Sequence, residues 1–143
     1  YVYNMQRLLR KFDTAKNLVP QPVVSQTEVP SRFGAIYFGS TSPAMQEAIV
    51  SLHDQSIPLD TLRVRAFPFP DSVREFIDAH ESVFVIEQNR DGQLRNLLIN
   101  EFGIDPVRLV AVLHYDGTPI TARFIADAIA SRARPVEQRE KVA

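Results

Sequence analysis

A cluster of polar residues follows a short apolar run, and its residue types are those of acid–base and ion-binding sites. The apolar run occupies residues 83–86, and the cluster is Glu87-Gln88-Asn89-Arg90-Asp91-Gly92-Gln93. A buried strand that feeds a helix needs only a short polar turn. Because this turn holds two acids, a base and three amides, we interpret it as a surface that meets a partner or a ligand.

The two carboxylates of the cluster, Glu87 and Asp91, are the first candidates for acid–base chemistry. Arg90 lies between them, so an internal salt bridge or a helix cap is the simpler interpretation. We expect Asn89 or Asp91 to cap the helix that follows, where either acid also gains from the helix dipole. The amides donate and accept hydrogen bonds, which suits a polar interface.

Other catalytic and ligand-binding chemistries have weaker support. Gly39-Ser40-Thr41 lies between a strand and a helix, but no glycine-rich phosphate motif is present, and Pro43 removes an amide donor. The three histidines lack metal-ligand spacing. His114 stands beside Asp116 without an accompanying nucleophile, so a structural role is favoured over that of a general base. Cysteine is absent, which excludes disulfides, thiolate nucleophiles and cysteine-ligated metals.

The composition is that of a soluble globular protein. The 143 residues are 45% hydrophobic and carry a net charge of −1. No apolar run approaches the roughly 20 residues that cross a bilayer. The small net charge gives no overall electrostatic attraction for nucleic acid. We therefore expect a cytoplasmic protein with no membrane or nucleic-acid partner. Tyr1 stands where an initiator methionine is usual, so we expect a piece of a longer polypeptide.

The residue pattern divides the chain into three parts. Residues 1–33 are predicted to hold an amphipathic helix, over 4–19, and an extended proline-rich linker. Residues 34–132 are predicted to form an α/β domain, and 133–143 a polar tail. The basic residues of the first helix are interpreted as a solvated face rather than a nucleic-acid patch.

Strand and helix patterns alternate through the α/β part. Strands are predicted at 35–38, 59–66, 82–87 and 109–114, each followed by a helix. Ser72 and Glu75 have the spacing of a capping box, and Gly103 is expected to end a helix in the left-handed conformation. Thr118 and Pro119 are predicted to open the last helix. The predicted fold is a three-layer α/β/α arrangement with a mostly parallel sheet.

In such a sheet the loops after the strands meet at one edge, where ligands and partners usually bind. The polar cluster is one of these loops. A second is Phe67-Pro68-Phe69-Pro70, which is interpreted equally well as a plug on the core or as an apolar interface anchor.

Four motifs together resemble the C-terminal part of the alpha subunit of 2-oxoacid:ferredoxin oxidoreductases, most closely the 2-oxoglutarate type. The run of residues 84–95 that contains Glu-Gln-Asn-Arg-Asp-Gly-Gln is the specific signal. The supporting motifs are Gly39-Ser40, Arg63-Val64-Arg65-Ala66-Phe67-Pro68-Phe69 and His114-Tyr115-Asp116-Gly117-Thr118-Pro119. The resemblance covers residues 1–132.

The resemblance implies a fold like the transketolase C-terminal domain, called domain II in the pyruvate enzymes. It also implies a complete enzyme that converts a 2-oxoacid to an acyl-CoA with thiamine diphosphate, magnesium and iron–sulfur clusters, and passes electrons to ferredoxin. None of those cofactors is expected in this chain, and no catalytic residue is carried over.

The implied role is structural support within the enzyme. The expected partners are the pyrimidine-binding domain of the same subunit, the beta subunit and, through the complete enzyme, ferredoxin; a homodimer is also open. Contacts are expected at Phe67, Phe69, Gln88, Asn89, Arg90, Asp91, Gln93 and Arg95, with Arg90 and Arg95 offering bidentate pairing to partner carboxylates. The alternatives are a small-molecule-binding regulatory module and a domain of another thiamine-dependent 2-oxoacid dehydrogenase.

Overall fold

The computed structural model describes residues 1–133, which form a mixed α/β structure. The strands are β1 (Val23–Ser25), β2 (Phe33–Phe38), β3 (Asp60–Val64), β4 (Ser82–Glu87) and β5 (Leu109–Leu113). The helices are α1 (Val2–Ala15), α2 (Ser42–Asp54), α3 (Asp71–Asp78), α4 (Gln93–Phe102) and α5 (Ala122–Ala133), with short 3-10 turns at Gly39–Thr41 and Pro106–Arg108. Residues 134–143, most of the predicted polar tail, lie outside the described range.

The five strands form one sheet in the order β1-β3-β2-β4-β5. β3, β2, β4 and β5 are parallel, and β1 pairs antiparallel to β3 at one edge. One face of the sheet packs on α2 and α5, and the other face packs on α3 and α4. The predicted three-layer architecture with a mostly parallel sheet is confirmed.

The apolar pattern explains the confirmed elements. The run at residues 83–86 is buried on both faces as the central part of β4, whose predicted limits match the structure. Gly103 ends α4 with φ of 62°, a left-handed conformation that glycine adopts without a Cβ clash. The strand predicted at 59–66 is shorter in the structure, where β3 comprises Asp60–Val64 and its last register pair with β2 is Val64 and Phe38.

Two local predictions were wrong and a third was incomplete. The segment predicted as an extended proline-rich linker is more than a linker, because β1 lies within it and adds a strand to the sheet. The predicted Ser72–Glu75 capping box does not form: Pro70 is the N-cap of α3, and the Ser72 hydroxyl is buried without a hydrogen-bond partner. The last helix begins at Ala122 rather than at Thr118, because residues 114–118 form a hydrogen-bonded turn.

A buried polar network fixes the segment after β1 to the sheet. One carboxylate oxygen of Asp60 accepts hydrogen bonds from the amide and hydroxyl of Thr27, both at 2.8 Å. The other lies 3.1 Å from Nε2 of His80, whose Nδ1 lies 2.7 Å from the Phe76 carbonyl oxygen. His80, which lies just beyond the C-terminus of α3, therefore has a structural role.

Helix α1 differs from every other element. None of its residues is buried, and residues 1–14 are all exposed to solvent. No helix in residues 1–133 is long and apolar enough to cross a membrane.

Candidate interface at the carboxyl edge of the sheet

Glu87, the last residue of β4, caps the helix that follows it. Its side chain is fully buried, and its carboxylate accepts hydrogen bonds from the amides of Leu94 at 2.7 Å and Arg95 at 3.0 Å. A carboxylate at a helix N-terminus satisfies amides that have no partner within the helix and interacts favourably with the helix dipole. Asn89 or Asp91 was expected to cap α4, and this expectation is corrected in part, because Glu87 binds the amides of the first turn of α4.

Asn89 completes the cap from the other side. Its Nδ2 donates to Glu87 at 2.8 Å, and its Oδ1 accepts from the amides of Asp91 at 3.1 Å and Gln93 at 3.3 Å. Arg90 pairs with its neighbour Asp91 at 2.7 Å, and both side chains are exposed. The two acids of the cluster therefore have separate structural roles, and the salt bridge and the helix cap considered from the sequence are both present.

Gln88 connects three loops across the edge of the sheet. Its Nε2 donates to the hydroxyls of Ser40 at 3.1 Å and Thr41 at 3.2 Å, and its Oε1 accepts from the Ile120 amide at 3.3 Å. β2 and β4 are the neighbouring strands whose connections run in opposite directions, which is where α/β sheets usually bind ligands. In this chain the Gln88 amide bridges that crevice.

Arg95 is engaged within the chain. Its Nε donates to the Leu109 carbonyl oxygen at 2.6 Å and its terminal nitrogen to that of Pro106 at 2.7 Å, which ties α4 to the start of β5. Gln93, two residues earlier, has an exposed side chain.

The two phenylalanines of the second loop occupy different environments. Phe69 is 3% exposed and packs in the core cluster beneath α3 and α4. Phe67 is 46% exposed, and its ring meets the Phe69 ring edge-on at 5.2 Å between centroids. Phe69 therefore closes the top of the core. It also packs against the Phe67 ring, which remains accessible to a partner.

The loop after β5 is held by its own polar contacts. Nε2 of His114 lies 3.0 Å from the Thr118 carbonyl oxygen and 3.2 Å from Asp116, and its ring contacts Phe124. Hydrogen bonds from the side chain and amide of Thr118 hold the pKa of Asp116 below its usual range. His114 is thus oriented as a loop anchor. Within residues 1–133, no group of three or more histidine, aspartate or glutamate side chains is arranged to hold a metal ion.

Two arginines at this edge were not among the predicted contacts. Arg63 lies on β3 opposite Tyr37 of β2, and Arg65 follows two residues later just beyond the strand. Arg63 is partly buried and Arg65 is exposed. In the sequence they alternate with Leu62, Val64 and Ala66, a pattern that indicates the polar side of a strand but does not indicate a contact.

A second surface was also missed, the apolar stripe of α1. Leu9 is 65% exposed and Phe12 is 52% exposed, and the stripe continues through Val2, Met5 and Leu8. The helical pattern correctly predicted an amphipathic helix, although its limits are residues 2–15 rather than 4–19. Periodicity alone does not show whether an apolar stripe is covered by the same chain.

Comparisons with known proteins agree with the fold and the motifs. The chain is 28% identical over 134 residues to subunit alpha of 2-oxoacid:ferredoxin oxidoreductase 2 from Aeropyrum pernix, covering 91% of this chain and 21% of the relative. It is 25% identical over 140 residues to the 2-oxoacid:ferredoxin oxidoreductase subunit alpha of Saccharolobus solfataricus, covering 94% of this chain and 22% of the relative. No family model matches the sequence.

Three solved structures share the fold. The 2-oxoglutarate:ferredoxin oxidoreductase of Magnetococcus marinus, with 2-oxoglutarate, coenzyme A and succinyl-CoA bound, matches 85% of this chain and 21% of its own, with a TM-score of 0.75 at 21% identity. The alpha chain of a probable 2-oxoacid ferredoxin oxidoreductase from Thermoplasma acidophilum matches 79% of this chain and 97% of its own, with a TM-score of 0.53 at 21% identity. A split-gene transketolase, an inactive beta4 tetramer, matches 78% of this chain and 41% of its own, with a TM-score of 0.58 at 17% identity.

These matches confirm the expected resemblance and the transketolase-like fold. The chain spans about a fifth of the length of the curated relatives it matches. Sequence motifs, fold and relatives together identify this chain as a relative of the alpha subunit of 2-oxoacid:ferredoxin oxidoreductases.

Proposed function

We propose that the chain is a non-catalytic structural and interface domain of a 2-oxoacid:ferredoxin oxidoreductase alpha subunit. The complete enzyme would carry out the oxidative decarboxylation of a 2-oxoacid to an acyl-CoA. 2-Oxoglutarate is the proposed substrate, which is supported by the motifs at the strand ends and by the likeness to the 2-oxoglutarate enzyme.

The uncovered apolar stripe of α1 is the observation that carries this proposal. A 14-residue helix is marginal in water without packing on another surface. Fully burying one leucine or phenylalanine side chain contributes about 1.5–3 kcal/mol, and α1 presents several such side chains to solvent. A helix with this stripe is therefore stabilised most by a covering surface, which we assign to the rest of the subunit and its neighbours.

The carboxyl edge of the sheet would supply a second, more polar contact. The accessible members of the predicted set are Phe67, Gln88, Arg90, Asp91 and Gln93. Phe69, Asn89 and Arg95 hold these residues in place through core packing and hydrogen bonds. An interface of this kind has an apolar anchor within a polar rim.

The residues of this edge do not fit a thiamine diphosphate or metal site. The Gln88 amide bridges the crevice at the strand switch point. The Glu87 carboxylate is buried against helix amides, so it does not face a ligand. We therefore place the cofactors of the complete enzyme, thiamine diphosphate, magnesium and iron–sulfur clusters, on the pyrimidine-binding domain and the other subunits. Ferredoxin would meet the complete enzyme rather than this domain.

The test is to place one charge on the α1 stripe of the complete enzyme. Phe12→Glu is expected to reduce co-purification of the alpha and beta subunits at least tenfold, because the charge would be buried at the interface. Gln6→Glu adds the same charge on another side of α1 and is the matched control, expected to assemble normally. Normal assembly of Phe12→Glu would count against the proposal.

The non-catalytic assignment has its own test. The purified chain, supplied with thiamine diphosphate, magnesium, 2-oxoglutarate and coenzyme A, is expected not to reduce a viologen dye. Dye reduction by the chain alone that depends on 2-oxoglutarate would overturn the assignment.

A further inference from the structure

Tyr37, Arg63 and Arg65 form a row of polar groups on one face of the sheet. Tyr37 and Arg63 are register partners on the parallel strands β2 and β3, so their side chains are neighbours on the same face. Arg65 follows Arg63 by two residues, just beyond the end of β3 at Val64. The alternation of side chains along β3, continued by one residue, brings Arg65 to the same side about 7 Å along the strand direction. The face is the one that packs on α2 and α5, since Tyr37 belongs to that core cluster.

These groups have no partner among the described residues. Within residues 1–133, neither guanidinium makes a side-chain hydrogen bond or an ion pair, and the Tyr37 hydroxyl is likewise unpaired. Five other arginines of the same range are engaged with carboxylates or carbonyls: Arg32, Arg74, Arg90, Arg95 and Arg108. Arg63 is partly buried, but its guanidinium nitrogens remain accessible to solvent and are therefore available to a ligand.

The chemistry of this row matches an anion. Guanidinium groups present planar forks of N–H donors that match the geometry of carboxylate and phosphate oxygens. A tyrosine hydroxyl adds a neutral donor beside them. The row also lies toward the carboxyl end of parallel strands, the edge at which α/β sheets bind ligands.

We propose that Tyr37, Arg63 and Arg65 form an oxyanion-binding site that takes a carboxylate or phosphate group. Arg63 provides the central fork, Arg65 provides the outer fork, and the Tyr37 hydroxyl donates to the same anion. The site is separate from the α1 stripe and does not depend on the proposed interface role.

The site is tested by nuclear magnetic resonance titration of the purified chain with pyrophosphate and, separately, with a pentaglutamate peptide. We expect saturable shifts of the backbone amides of residues 37 and 61–65. Tighter binding of pyrophosphate would indicate a free phosphorylated ligand, and tighter binding of pentaglutamate an acidic partner protein; either supports the site. The absence of saturable shifts with both probes would overturn it.

Single substitutions distinguish a specific anion site from nonspecific attraction of anions to the positive charges of the chain. Arg63→Gln is expected to weaken binding of the preferred probe at least tenfold, Arg65→Gln about fivefold, and Tyr37→Phe about threefold. Arg123→Gln is the matched control, because Arg123 is exposed and lies on α5 rather than on β2 or β3. Equal weakening by Arg63→Gln and Arg123→Gln would overturn the proposal.

A conservative variant distinguishes loss of the anion site from loss of the folded structure. Arg63→Lys retains the charge and removes the planar fork, so we expect an intermediate loss of affinity with an unchanged amide spectrum outside residues 37 and 61–65. Wild-type affinity in Arg63→Lys and in Arg65→Gln together would exclude recognition by the two forks.

Discussion

The turn after β4 and the helix α1 differ in whether their side chains find partners among the described residues. The turn is rich in charges and amides, yet Glu87 and Asn89 bind each other and the amides at the start of α4, and Gln88 binds the loops after β2 and β5. Helix α1 has an ordinary amphipathic sequence, yet its apolar side has no covering surface among residues 1–133. The buried residues of the polar motif therefore hold the local structure, whereas the uncovered apolar stripe is the proposed main contact with another surface.

Removing the Glu87 carboxylate should have the largest effect on the stability of the chain. Glu87→Ala leaves two helix amides and the Asn89 side chain without a buried acceptor, which should lower the free energy of unfolding by about 3 kcal/mol. Urea unfolding monitored by circular dichroism measures this change. Asp91→Ala is the control at an exposed acid of the same turn, and a comparable loss there would show that Glu87 has no special role.

Gln88→Ala should have a smaller and more local effect. The substitution removes three hydrogen bonds that join the loops after β2, β4 and β5, and we expect a loss of about 1 kcal/mol. Hydrogen exchange at residues 39–41 and 118–120 should accelerate more than exchange in the strands. Gln93→Ala, an exposed amide of the same cluster, serves as the comparison. Unchanged exchange in both loops after Gln88→Ala would contradict the bridging role.

The loss of stability at acidic pH tests the contribution of Asp116 to the loop after β5. Because folding lowers the pKa of Asp116, its contribution to stability is present above its unfolded pKa and is lost as the pH falls through the lower folded value. Asp116→Asn should therefore lose less stability than the unmodified chain between pH 5 and pH 2. Asp127→Asn is the control, and identical curves for Asp116→Asn and the unmodified chain would contradict the expectation.

The smallest effect is expected at α1 in the isolated chain. Leu9→Glu removes no internal contact of a buried residue, so the free energy of unfolding should change by less than about 0.5 kcal/mol. Thermal unfolding of the chain alone measures this, and a large loss would mean that the α1 stripe packs on its own domain.

The sequence predicted the elements whose signals are local. Examples are the apolar run at 83–86, the glycine at 103 and the helical spacing of α1. Each of these signals depends only on residues that are close in sequence. β1 was missed because a three-residue strand between prolines is stabilised by pairing with β3, which is distant in sequence. The predicted Ser72 cap failed because Pro70 already occupies the N-cap of α3.

The candidate site was predictable in composition but not in contacts. The cluster at 87–93 was correctly placed at the carboxyl edge, yet the Glu87 cap depends on β4 pointing its last side chain at α4. Arg95 was predicted to face a partner, and the structure shows its guanidinium bound to the carbonyls of Pro106 and Leu109. Which polar groups remain unpaired is decided by packing between distant elements, so Arg63 and Arg65 emerged only from the structure.

Hydrogen exchange of α1 in the chain alone and in the complete enzyme tests the central claim most directly. The account predicts fast exchange across residues 2–15 in the isolated chain and at least tenfold slower exchange in the assembly, with little change at the already buried amides of residues 94 and 95. Equal exchange rates of α1 in the two states would contradict it.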